Sequence, residues 1–69
     1  MLKVDKNKMV LARAQSIMTI RQLSKMSKVA ASTISRIEKG HIDPNPVTVG
    51  KIAKALNVSV NELIEPVLK

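Results

Sequence analysis

The chain contains no cysteine, which excludes a disulfide framework, a thiolate metal site and a thiol nucleophile. It contains no Phe, Tyr or Trp either. A core must then be built from Ile, Val, Leu, Met and Ala, and single-stranded nucleic acid would find no aromatic ring to stack on. Its two glycines, Gly40 and Gly50, stand apart, so no glycine-rich loop can cradle a phosphate. No apolar run approaches the ~20 residues of a bilayer-spanning helix. Met1-Leu2-Lys3-Val4-Asp5 also lacks the apolar stretch of a signal peptide. A soluble, cytoplasmic protein without a membrane partner is expected. The single His41 and five carboxylates show no paired-acid, triad or metal-ligand spacing. Neither a catalytic residue, a metal site, a cofactor nor a small-molecule ligand is expected.

What is present is positive charge, unevenly placed. Residues 1–40 carry nine basic side chains against two acidic ones, whereas residues 41–69 carry three of each. The whole net charge of +7 therefore lies in the first 40 residues. Such asymmetry is the electrostatic footprint of a polyanion-binding surface, or else a solvated face that aids solubility. The 69 residues fit one domain, spanning 1–69. A domain this small buries only about 60% of its unfolded surface, so its stability is modest.

The spacing predicts five helices and no strand. The first runs from about Lys6 to Gln15 or Ser16, with Asp5 as N-cap. The second opens at Thr19, where Thr19-Ile20-Arg21-Gln22 has capping-box spacing, and ends near Lys25 or Met26. A turn over Ser27 to Ala30 or Ala31 leads to a third helix from about Ala31 to Lys39, stopped by Gly40. Within it Ile34 and Ile37 face inward. Ser32, Ser35, Arg36 and Lys39 follow the i, i+3, i+4, i+7 pattern of the opposite side. Asn45 caps a fourth helix with Pro46 at its first position, and Val49, Ile52, Ala53 and Leu56 make its buried stripe. Gly50 interrupts that stripe, which suggests close packing. Ser59-Val60-Asn61-Glu62 is a second capping box opening a fifth helix, which carries Val60, Leu63 and Ile64 and is interrupted by Pro66.

Two short helices joined by a tight turn, the second basic and polar on its outer face, match a helix-turn-helix over about residues 19–39. The major groove of duplex DNA is ~12 Å wide and admits one α-helix whose outward side chains are short donors or long cations. Ser32, Ser35 and Arg36 meet that requirement.

The stretch Thr33-Ile34-Ser35-Arg36-Ile37-Glu38-Lys39-Gly40, then Pro44, then Lys51-Ile52-Ala53-Lys54-Ala55-Leu56-Asn57-Val58-Ser59 and Glu62-Leu63, resembles the Cro/repressor-type helix-turn-helix family, also called the XRE family. The likeness runs from about Met9 to Ile64. It implies an all-α, compact, five-helix, lambda-repressor-like fold in a prokaryotic or phage-derived protein that works at the nucleoid. It also implies that Ala31, Ser32, Ser35 and Arg36 face bases, with Arg36 the candidate for a bidentate contact to guanine. Ala31 is limited to apolar contact with a thymine methyl. Thr33 joins the serines as a candidate for bases or phosphates. In the family the start of helix two grips a phosphate, a role that falls here to Thr19, Arg21 and Gln22. Lys28, Lys39, His41 and Asn45 are further phosphate candidates, with ordinary surface as the alternative for each. Arg13 and Glu38 are expected to form a structural ion pair.

The sequence departs from the family pattern at four places. Ile20 replaces a common Gln, which removes one polar contact to DNA. Ile17 and Lys28 replace glycines, so turns of different shape are expected there. Ala30 replaces a capping Ser, Thr or Asn, which leaves Ser32 as an alternative cap and a later start to the third helix. Beyond Val58, the residues Val60, Leu63, Ile64, Val67 and Leu68 supply more apolar surface than a short last helix needs. They either close the core or form a homodimer interface over about 58–69. Two functions follow: a transcriptional regulator, a repressor by family likeness, binding a palindromic double-stranded DNA operator as a dimer; or an antitoxin-like protein-interaction module with incidental affinity for DNA.

Overall fold

In the computed structural model, which describes residues 3–65, each helix begins and ends where local chemistry dictates. Helix α1 (Lys6–Gln15) starts at Asp5, whose Oδ1 accepts the N–H groups of Asn7 and Lys8 at 3.0 and 3.2 Å. Helix α2 (Ile20–Ser27) opens with a closed capping box. Thr19 Oγ1 accepts the Gln22 N–H at 3.1 Å, and Gln22 Oε1 accepts the Thr19 N–H at 2.8 Å. Helix α3 (Ala31–Glu38) follows a three-residue turn. Helix α4 (Pro46–Leu56) is capped by Asn45, whose Oδ1 accepts the Thr48 N–H at 2.8 Å.

The helix ends share one device. Ile17, Lys28, Gly40 and Asn57 all take left-handed φ values, between 54° and 76°. After α1 the Met18 N–H donates to the Arg13 carbonyl and the Ile17 N–H to that of Ala14, the paired bonds of a Schellman motif. The same pair recurs after α3 (His41 to Arg36, Gly40 to Ile37) and after α4 (Val58 to Ala53, Asn57 to Lys54). Helix α2 ends on the simpler single bond from Lys28 to Ser24. The turns at Ile17 and Lys28 therefore keep the left-handed shape that a glycine would take, against the expectation of altered turns. Tertiary packing holds two side-chain-bearing residues where each costs about 1–2 kcal/mol.

Ala30 occupies the N-cap position of α3 without a side-chain hydrogen bond. Ser32 does not replace it. The helix starts at Ala31 and not later. Gly50 does not serve close packing either, since a Cβ built there meets no heavy atom within 4 Å.

The fifth helix is the main correction. Four α-helices are present among the described residues, and Val60–Glu62 is a single 3₁₀ turn. Its Ser59 N–H does donate to Glu62 Oε2 at 2.9 Å. The chain then extends instead of coiling, pairing Ile64 with Val4 in an isolated antiparallel bridge. Asp5 N–H donates to the Leu63 carbonyl at 2.9 Å and Glu65 N–H to that of Lys3 at 2.8 Å. Lys8 Nζ adds a bond to the Ile64 carbonyl at 3.2 Å. Pro66 has no N–H to return to Glu62, so a helix could not have run through it unbroken.

The core gathers every helix. Met9 and Ala12 of α1, Leu23 of α2, Ile34 and Ile37 of α3, Ile52, Ala53 and Leu56 of α4, and Leu63 are buried together. Leu23 and Ile34 have no exposure at all. Ser27, the buried polar residue, donates to the Leu23 carbonyl at 2.7 Å and accepts the Val29 N–H at 3.3 Å. Leu63 and Ile64 are buried at 1% and 7% exposure, so they close this core and are not free for a dimer interface. Val60 is half-buried against the same cluster. Val67 and Leu68 lie outside the described residues.

Candidate nucleic-acid interface

Helix α3 is divided by its periodicity. Ile34 and Ile37 anchor its inner face in the core, which fixes the outward direction of the rest. Ser32, Arg36 and Lys39 are exposed, while Ala31, Thr33 and Ser35 are half-buried at the flanks. None of the polar side chains among these six has a hydrogen-bond partner among the described residues, so their donors are uncommitted.

The start of α3 faces a shallow groove shared with α2, lined by Arg21, Gln22, Ser24, Lys25 and Ala31. The capping box leaves this groove equipped to donate. Gln22 uses its amide oxygen within the box, which leaves its NH₂ free, and Thr19 accepts through its hydroxyl oxygen while keeping its own proton. Arg21 and Lys25 are exposed one helical turn apart. The positive end of the α2 dipole, at Thr19 to Gln22, adds to Arg21, whereas Lys25 lies in the last turn. Sequence reasoning does not single out Ser24 and Lys25. The i, i+4 spacing of Lys25 from Arg21 is the signal that points to it.

The other phosphate candidates are scattered. Lys28, on the left-handed turn, lines a different groove with Met26, Lys51 and Lys54. His41 lies exposed beyond Gly40. Asn45 is exposed too, but its carbonyl oxygen is occupied in capping α4. The structure brings together Arg21, Gln22 and the start of α3, with Thr19 tied to Gln22 through the capping box; it does not bring Lys28 into that groove.

Charge on the two helices is arranged by one acid. Residues 19–39 hold five cations, and Glu38 is their sole carboxylate. Arg13 reaches it from α1 in a bidentate pair, Nε to Oε2 at 2.7 Å and Nη2 to Oε1 at 3.0 Å. The third guanidinium nitrogen, Nη1, donates to the Met18 carbonyl at 3.0 Å. One side chain thus ties α1, the α1–α2 turn and the end of α3. The hydrogen bond to Glu38 raises the Arg13 pKa, burial opposes it, and the Coulomb attraction of the carboxylate reinforces it. It is the one ion pair among the described residues. Arg21, Lys25, Arg36 and Lys39 therefore present their charge undiminished.

No group of three or more His, Cys, Asp or Glu side chains able to hold a metal occurs among the described residues. None of their helices is long and apolar enough to cross a membrane.

Comparison with known proteins agrees with this geometry. Residues 11–63 match the family model described as Helix-turn-helix. The chain also superposes on the crystal structure of the restriction-modification controller protein C.AhdI from Aeromonas hydrophila, with a TM-score of 0.79 at 21% identity. The superposition covers 83% of this chain and 86% of that one. A search of curated proteins finds no match.

Proposed function

This chain belongs to the Cro/repressor-type, or XRE, helix-turn-helix family of DNA-binding transcription regulators, and from that premise we propose that it is a repressor that sits as a two-fold dimer on a palindromic operator. Helix α3 enters the major groove. Arg36 makes a bidentate contact to guanine, Ser32 and Ser35 reach neighbouring base edges, and Ala31 meets a thymine methyl. Thr19, Arg21 and Gln22, joined by Lys25, hold the phosphate backbone and set the register. Thr33, Lys39, His41, Asn45 and Lys28 are outlying contacts to the backbone. The observation that carries this reading is the division of α3, with Ile34 and Ile37 sealed in the core and Arg36 and Ser32 exposed opposite them.

Because Leu63 and Ile64 are buried, the proposed dimer surface does not rest on them. We place it around Leu11 and Val58, which with Lys8, Gln15, Asn61 and Glu62 line a groove between α1 and the 3₁₀ turn. Leu11 is 59% exposed there. The rim carries both signs of charge, so under a two-fold axis Lys8 of one copy can meet Glu62 of the other. C.AhdI, which shares the fold, is a controller protein of a restriction-modification system. Control of transcription by occluding a promoter is the corresponding role here.

Selection from random duplex DNA, repeated with Arg36→Ala, tests the reading. A symmetric motif with half-sites about one helical turn apart, relaxed at one position per half-site in the variant, is the expected result. Retention indifferent to base sequence would overturn it and favour a protein-interaction module.

A further inference from the structure

Ile17 is doubly unfavourable where it stands. Its φ of 54° is left-handed, which a β-branched side chain tolerates poorly, and its side chain is 89% exposed. Glycine would remove the strain and the apolar surface at once. Backbone strain kept at an exposed apolar residue is a pointer to function. Met26 lies beside it at 60% exposure, and the two line one groove with Met18, bordered by Gln22 and Lys25. Past Met26 the surface continues between Lys28, Lys51 and Lys54. No acidic residue lines either groove.

From this apolar strip, whose charged neighbours are all lysines, we infer that Ile17 and Met26 form a docking surface for an acidic, amphipathic helical segment of another protein, which competes with DNA by covering Gln22 and Lys25. The chemistry selects the partner. Ile17 and Met26 require an apolar stripe, and methionine adapts to its exact shape. The lysines require carboxylates alongside that stripe. A second copy of this chain is a poor occupant, because a two-fold contact would set lysines against the same lysines. A phosphate backbone satisfies the lysines and leaves the apolar pair uncovered. Competition arises because Gln22 and Lys25 also line the groove at the start of α3. That competition rests on the proposed DNA-binding face, whereas the docking itself does not.

The test uses a fluorescent synthetic helix with leucines on one face and glutamates on the other, titrated with the full chain by anisotropy. Controls are a scrambled peptide of the same composition and vesicles of mixed phosphatidylserine and phosphatidylcholine. The amphipathic peptide is expected to bind, and the scrambled one to bind at least about tenfold more weakly. Ile17→Gly and Met26→Ser should each weaken peptide binding about three- to tenfold while leaving retention on duplex DNA unchanged. Both side chains lie mostly outside the core, and Ile17→Gly relieves strain, so misfolding does not confound the result. Equal binding of both peptides, or indifference to both variants, would overturn the inference. Vesicle binding that is lost in Ile17→Gly, with no peptide binding, would overturn it in favour of an anionic membrane surface. Peptide binding that unlabelled duplex fails to displace would retain the docking site and remove the competition.

Discussion

Helices α3 and α4 are neighbours in the chain and are built to opposite specifications. Helix α4 has an Asn45 cap, Pro46 at its first position and a left-handed Asn57 closing its end. Helix α3 has Ala30 at its N-cap with no capping side chain, and its outer polar side chains find no partner within the described residues. Locally α3 is the less satisfied helix, and it is the one proposed to enter the DNA groove. Its stability is supplied from outside, by Ile34 and Ile37 in the core and by Arg13 clamping Glu38 at its last turn. A reading helix must leave its donors free for the ligand, so its support comes from tertiary contacts and not from its own sequence.

Breaking the external clamp should have the largest effect. Glu38 is 9% and Arg13 21% exposed, so Glu38→Ala leaves a partly buried guanidinium without its carboxylate. A loss of about 2–3 kcal/mol is expected, below the range for a fully buried pair because Arg13 keeps some solvent and the Met18 carbonyl. For a domain this small the melting temperature should fall by roughly 10–20 °C. Thermal unfolding followed by circular dichroism decides it, and an unchanged midpoint would reject the clamp. Because the folded-state pKa of Arg13 is raised, its contribution, wherever the Glu38 carboxylate is charged, is present below the ordinary arginine range and fades as the pH rises above it.

Arg36→Ala probes the other side of the same helix and should separate binding from stability. Discrimination at one operator position should fall by about 1–3 kcal/mol, with little change in the melting temperature, because the side chain is exposed and unpaired. Lys25→Ala should instead weaken binding to all sequences and reduce the salt slope of log K by about one. Titrations at several salt concentrations distinguish the two. Equal losses on specific and random duplex for Arg36→Ala would place that side chain on phosphate.

Giving α3 the cap it lacks sharpens the contrast further. Ala30 has φ −56° and ψ 138°, a geometry from which a serine hydroxyl can accept a first-turn N–H. Ala30→Ser should raise stability by about 1 kcal/mol. Ala30→Asp should stabilise similarly while weakening DNA binding, since its charge would sit beside the phosphate-facing groove. Melting curves and retention on duplex, measured on both variants, check this pair. A serine variant no more stable than the parent would mean that the bare N–H groups are already satisfied by water.

Much of this organisation is legible in the sequence. Capping spacings at Asp5, Thr19 and Asn45 locate three helix starts because each cap is a contact between residues two or three apart. The split of α3 follows from the same local periodicity. What escapes such reading is non-local. Whether Leu63 and Ile64 coil or extend is decided by backbone partners at Asp5 and Lys3, nearly sixty residues away in the chain. The left-handed turn at Ile17 persists without glycine because the Schellman bonds and the Arg13–Met18 contact hold it. Lys25 joins the site only once α3 is placed against α2, and the sequence offers nothing stronger than its spacing from Arg21.

The smallest expected effect lies in α4 and completes the comparison. Gly50 sits in the middle of the best-capped helix, where glycine is less favourable than alanine by about 1 kcal/mol through the freedom it retains in the unfolded chain. Were it there for close packing, a methyl group would collide with a neighbour, but the space around its Cβ position is empty to 4 Å. Its φ is also outside the left-handed range, so alanine meets no backbone strain. Gly50→Ala should therefore stabilise the protein by roughly 0.5–1 kcal/mol, raising the melting temperature by a few degrees. DNA binding should be unchanged, since α4 contributes no base contact in the proposed complex. A destabilised variant would show that this face of α4 is covered by something in the functional assembly, and the partner surface would then have to be sought on α4 as well as at Ile17.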